Sequence, residues 1–158
     1  METMDLGDLI TPDAVAVSIK AISKKQVIQE LATRAAKETG CDQREIFDTL
    51  LQRERLGSTG VGRGVAIPHG KLPSISKIFC MFARLDQPID FDTVDDEPVD
   101  LLFVLLAPES AGADHLKALA RISRLLREPG AVEKLRGTQE SAAIYAVLTE
   151  PMESSNAA

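Results

Sequence analysis

Two stretches of this chain have almost no polar face. "KIFCMFARL" (Lys77–Leu85) is mostly apolar, and "VDLLFVLLAP" (Val99–Pro108) is more so. A strand with one face in water alternates polar and apolar residues; a run like these reads as a strand covered on both faces. Covering a sheet on both faces takes a layer on each side, so the fold class predicted is α/β, a mixed β-sheet flanked by helices on both faces. The length of 158 residues suits a single domain. Its expected extent is residues 1–150. "PMESSNAA" (151–158) is a polar tail with nothing to bury, expected to be disordered.

The covering helices are marked by their ends. "AVAVSIKAI" (14–22) alternates at Val15, Val17 and Ile19 and predicts a strand. Ser23 and Gln26 then form a capping-box pattern, and Gly40 stops the helix that follows. Asp42 and Glu45 repeat the pattern for a second helix to about Arg55, ended by Gly57, with Ile46, Phe47, Leu50 and Leu51 as its apolar face. Val65–Ile67 reads as a short strand, and Ile89–Phe91 as a short extended piece in an acidic connection. A helix is expected from about Ala113 to Arg127, broken by Pro129 and Gly130. Two short helices, 130–136 and 139–149, close the domain, the latter capped near Thr138.

Between the second helix and the first buried strand lies "GSTGVGRGVAIPHGK" (Gly57–Lys71), which holds one of the two histidines of the chain. The spacing fits neither GxxxxGK[ST] nor GxGxxG, so a standard nucleotide loop is excluded. The loop can be a plain turn, or a cradle for a phosphate. Net charge is −6, a poor match for nucleic acid. Yet between Gln52 and Lys71 the cations Arg53, Arg55, Arg63 and Lys71 face only Glu54, so this window carries +3 and the rest of the chain −9. A basic loop on an acidic protein points to a local anion.

A histidine here suits phosphoryl acceptance, because most imidazole is neutral at pH 7 and offers a nucleophilic nitrogen. Pro68 restrains Ile67 and orients His69. Gly70 gives backbone N–H groups access to a tetrahedral anion, and Ser58 and Thr59 offer hydroxyl donors. Arg53 lies seven positions after Ile46, so at about 100° per residue it returns to within roughly 20° of the buried stripe. It is either a snorkelling arginine or a cation aimed into a site. His115 shares an inward face with Leu119, Ile122 and Leu126 in the first turn of its helix. The helix dipole favours anions there.

Composition narrows the remainder. The longest clear apolar stretch, Leu101–Ala107, is too short to span a membrane. "METMDLGDL" lacks the basic and apolar regions of a signal peptide, so the chain is expected in the cytoplasm. Cys41 and Cys80 lie too far apart in sequence for a CxxC pair and have no histidine cluster; both are expected to be small hydrophobes, with no structural metal and no disulfide.

"RERLGSTGVGRGVAIPHGK" (Arg53–Lys71), followed by "PVDLLFVLLAP" and "DHLKALARISRLL", resembles the enzyme IIA family of the phosphoenolpyruvate-dependent phosphotransferase system. The resemblance is to its mannitol/fructose-type fold and nitrogen-regulatory branch, and covers about Leu6 to Thr149. It implies that His69 accepts a phosphoryl group from an HPr- or NPr-like phosphocarrier. It implies further that Arg53 stabilises the phosphohistidine and that His115 is the second histidine of the site. No cofactor is implied. In the regulatory branch the phosphorylation state controls other proteins; in sugar-specific members the group passes to an enzyme IIB for fructose or mannitol uptake. A module that binds a phosphorylated ligand reversibly is the alternative of another class.

Overall fold

The structure, a computed structural model, describes residues 6–150. The tail expected at 151–158 lies outside the described residues. Six strands form one mixed sheet: β1 (Val15–Ile19), β2 (Gly60–Gly62), β3 (Val65–Ala66), β4 (His69–Leu72), β5 (Phe79–Ile89) and β6 (Val99–Pro108). Five helices cover it: α1 (Lys24–Thr39), α2 (Gln43–Arg55), α3 (Ala113–Arg127), α4 (Ala131–Gly137) and α5 (Ser141–Thr149).

The two apolar runs are the middle of the sheet. β5 and β6 pair antiparallel, with Phe82 opposite Phe103 and their rings edge to face at 5.2 Å. Every residue from Leu101 to Ala107 is buried. A fully buried Phe or Leu side chain contributes roughly 1.5–3 kcal/mol, so this pair of strands anchors the core. β1 lies parallel to the outer edge of β5. α1 and α2 pack on each other and reach the sheet at β5 and β4, while α3 packs on β6 and α5 on β1.

The far edge of β6 carries two short strands end to end. β3 pairs parallel with it at Val65–Leu101, and β4 pairs parallel from His69–Leu105 onward. Pro68 interrupts the edge because it has no N–H, yet its carbonyl still accepts from Leu105 N–H at 3.0 Å. His69 is therefore the first residue of a strand, where the sequence suggests a loop. The short strand read at Val65–Ile67 contains β3, whereas the three and four residues of β2 and β4 carry too little pattern to be read.

The helix ends follow local chemistry. Ser23 accepts from Gln26 N–H at 3.2 Å, and Gln26 reaches back to Ile22 N–H at 2.7 Å, one residue beyond the usual partner. Asp42 accepts from Glu45 N–H at 3.0 Å, whereas the Glu45 carboxylate takes the Ser74 hydroxyl instead of closing a capping box. Gly40 ends α1 at φ 77°, where a side chain is disfavoured. Thr138 does not open α5: it follows α4, and its carbonyl accepts from Arg84 together with that of Leu135. Ile89 belongs to β5, not to a separate piece; the ladder is irregular between Arg84 and Ile89, which accommodates Pro88.

Candidate functional site

β6 and its continuation deliver both histidines. His69 pairs with Leu105 near the end of β6, and α3 begins a few residues beyond that strand with His115 in its first turn. The two rings stand 5.4 Å apart between centroids, tilted by 50°.

The protonation of His69 follows from one contact. Its Nδ1 lies 2.7 Å from the Ile67 carbonyl oxygen. A carbonyl only accepts, so Nδ1 carries the proton and donates. The lone pair of the neutral ring is then on Nε2. The His69 side chain is half-buried.

His115 is 9% exposed, and its Nδ1 is buried without a hydrogen-bond partner. Burial holds its pKa below the ordinary 6.5, and the charges of His69 and Lys71 push the same way. Gly112 caps α3 at φ 56° with no side-chain bond, and Asp114 N–H donates to the Ala111 carbonyl at 3.1 Å, so the ring of His115 sits at the positive end of the helix dipole. The corner thus combines an acceptor nitrogen, a neutral imidazole and a helix N-terminus, which together suit a tetrahedral anion.

Arg53 is half-buried near the end of α2 and donates from Nη1 to the Gly57 carbonyl at 3.0 Å. Thr49 lies one helical turn earlier on the same face, and its Cγ2 would stand 2.5 Å from a Cβ at Gly70. Arg53 therefore sits on the helix face that packs against the strand carrying His69. One donor of its fork is committed to Gly57, and the others remain.

Three expected contributors have other duties. The Thr59 hydroxyl is buried and donates to Glu54 in a short contact, and the Ser58 hydroxyl donates to the Phe91 carbonyl at 2.9 Å. These hydroxyls are not free to hold a phosphate. Gly70 is needed for the close approach of Thr49, so its small size serves helix–strand packing. The basic window also divides. Arg63 donates to the Leu126 carbonyl at the C-terminal end of α3. At 1.5 Å per residue that is roughly 16 Å along the helix from His115. Arg53 and Lys71 stay on the histidine side; Arg55 is exposed.

Glu54 is the residue that sequence reading overlooks. It is 5% exposed and pairs with Lys24 Nζ at 3.1 Å, while its carboxylate also accepts from Thr59 N–H at 3.2 Å. The signal was present. Ile46, Leu50 and Glu54 follow at intervals of four, which puts Glu54 nearer the centre of the buried stripe than Arg53. Among the described residues, no group of three or more His, Cys, Asp and Glu is placed to hold a metal ion, and no helix is long and apolar enough to cross a membrane. Both cysteines are free; burial pushes the Cys80 thiol up to about 12.

The chain is similar to known proteins over nearly its whole length. Residues 8–150 match the family model described as phosphoenolpyruvate-dependent sugar phosphotransferase system, EIIA 2. A relative from Bradyrhizobium diazoefficiens named Nitrogen regulatory protein is 60% identical over 94% of this chain and 97% of its own. One from Haloferax volcanii, named PTS system fructose-specific EIIA component, is 35% identical over 97% of this chain and 100% of its own. The crystal structure of Nitrogen Regulatory Protein IIA-Ntr from Neisseria meningitidis superposes with a TM-score of 0.86 at 32% identity, covering 91% of this chain and 99% of that one.

Proposed function

The chain belongs to the EIIA 2 family of the phosphoenolpyruvate-dependent sugar phosphotransferase system, a phosphotransferase component, and from that premise we propose that it takes one phosphoryl group onto His69 and regulates other proteins by its phosphorylation state. The observation that carries this reading is the contact of His69 Nδ1 with the Ile67 carbonyl, which leaves Nε2 as the nucleophile.

Transfer begins with a phosphohistidine on an HPr- or NPr-like carrier. Nε2 of His69 attacks phosphorus in line. The P–N bond to the carrier breaks, and its electron pair stays on the carrier's ring nitrogen as the new P–N bond forms at His69. No other covalent chemistry is required, so the protein's work is positioning and charge stabilisation. Because Nδ1 keeps its proton on Ile67, the phosphorylated ring carries positive charge, which weakens the P–N bond and keeps the group transferable. In this reading His115 and the N-terminal end of α3 stabilise the phosphoryl oxygens. Arg53, held by Gly57, supplies cationic donors from the other side.

The regulatory role follows the 60% identical relative, whose name is Nitrogen regulatory protein. The fructose-specific relative supports a second reading, in which the group passes on to an enzyme IIB. Incubation with phosphoenolpyruvate, enzyme I and an HPr-like carrier tests both. Intact mass should show one acid-labile phosphoryl group, which stays on the chain when an enzyme IIB is added. Loss of the group to the IIB favours sugar transport; no gain at all refutes both.

A further inference from the structure

We propose that Glu54, neutralised by Lys24, is a positioning residue that sets the tautomer of His69; the proposal deepens the phosphoryl-acceptor reading and rests on it for the rate effect alone. The connection is continuous. The Glu54 carboxylate takes the Lys24 ammonium at 3.1 Å, the Thr59 N–H at 3.2 Å and the Thr59 hydroxyl. The Thr59 carbonyl accepts from the Ile67 N–H at 3.0 Å. The Ile67 carbonyl accepts from His69 Nδ1 at 2.7 Å. Between Thr59 and Ile67 runs the β2–β3 hairpin, so the Thr59–Ile67 bond closes its base.

Stability alone does not account for a charged pair in this place. A buried ion pair gains little net over apolar residues of the same volume. A carboxylate does what an apolar side chain cannot: it accepts two donors from one residue, Thr59, and so fixes its backbone. Lys24 lies 4.7 Å from the centre of the Phe91 ring and 3.6 Å from Asp92, and Ser58 donates to the Phe91 carbonyl. The cation therefore also ties the 91–93 segment against the same loop. Ile67 is 4% exposed and precedes Pro68, so its carbonyl has little freedom once Thr59 is set. If that carbonyl shifts, Nδ1–H loses its acceptor, the proton redistributes to Nε2, and the nucleophilic lone pair leaves the position that faces the carrier.

The experiment compares the wild-type chain with E54Q, T59V and T59S. Ring-nitrogen NMR shifts report the His69 tautomer, and phosphoryl uptake over a range of carrier concentrations separates kcat from KM. E54Q should lower the Nδ1–H fraction and cut kcat about ten-fold, the scale of a small misplacement of a reacting group, with KM unchanged. T59V should move the same two readouts in the same direction, and T59S should return both to wild-type values. T59V and T59S decide the matter alone if E54Q does not fold. A wild-type tautomer in folded E54Q or in T59V, or a slower rate with the tautomer intact, overturns the proposal. If the wild-type chain takes up no phosphoryl group, the functional reading falls, while the tautomer comparison still decides the role of Glu54.

Discussion

His115 packs its ring 5.4 Å from that of His69 while its own Nδ1 remains buried and unpaired. A polar atom in that state costs free energy unless something pairs with it.

The same burial makes a prediction about pH. The folded-state pKa of His115 lies below the ordinary 6.5. The unfolded chain therefore binds this proton more readily than the folded one. Its contribution to stability is in place above about 6.5 and is lost as pH falls toward the depressed folded value. Melting temperatures of the wild-type chain should drop between pH 7.5 and 5.5 more steeply than those of His115→Gln. Parallel curves would show that His115 is not held neutral by the fold. Phosphorylation reverses the sign locally: a dianion beside the ring favours imidazolium, so His115 should titrate higher in the phosphorylated protein, as NMR can follow.

His69→Ala should leave the fold intact and abolish uptake. The side chain is half-buried, and its ring donates to the Ile67 carbonyl. A folded variant that still gains a phosphoryl group by intact mass would assign the acceptor elsewhere.

Arg53→Ala removes a charge-assisted donor, worth roughly 1.5–3 kcal/mol. Uptake should slow, or the phosphohistidine decay faster, by about ten- to a hundredfold. Arg53→Lys should recover only part of this, since one ammonium cannot keep the Gly57 carbonyl and grip a phosphoryl group in a fixed fork. Single-turnover rates equal to wild type in both variants would leave Arg53 as a loop anchor.

Gly70→Ala tests the packing of α2 against β4. The new Cβ would meet Thr49 Cγ2 at 2.5 Å. Overpacking of this kind costs about 1–3 kcal/mol. The double variant Gly70→Ala/Thr49→Ala removes the obstructing methyl and should recover most of the loss in a denaturant titration. Additive losses would mean that the glycine is required for another reason.

What could be read from the chain was whatever acts over a few residues. Ser23 and Asp42 cap their helices through bonds to residues three positions on, and the buried strands need only their own composition. His115 was placed inward by periodicity within α3. What could not be read depends on partners distant in sequence. Glu54 falls on the buried stripe of its own helix, but the Lys24 that pairs with it there comes from another helix. The hydroxyls of Ser58 and Thr59 look free until Phe91 and Glu54 arrive to accept them. The packing role of Gly70 appears only when Thr49 is folded beside it.

Charge reversal separates the cations that the sequence groups together. Arg55 and Lys71 are exposed, and Lys71 acts electrostatically on His115. Arg63 instead sits at the opposite end of α3, with its guanidinium on the Leu126 carbonyl and its own carbonyl accepting from Arg136. A cation there complements the negative end of the helix dipole, an effect of about 0.3–2 kcal/mol. At roughly 16 Å from the first turn it lies beyond a Debye length of about 8 Å at physiological salt, so it contributes little field at His69. Lys71→Glu and Arg55→Glu should therefore slow transfer from the carrier at low salt and flatten its salt dependence, as steering is lost. Arg63→Glu should lower the melting temperature and leave the transfer rate and its salt dependence as they are. Stopped-flow transfer at two ionic strengths, with melts on the same samples, decides it: a rate that falls for Arg63→Glu as steeply as for Lys71→Glu would place the carrier across the C-terminal end of α3 as well.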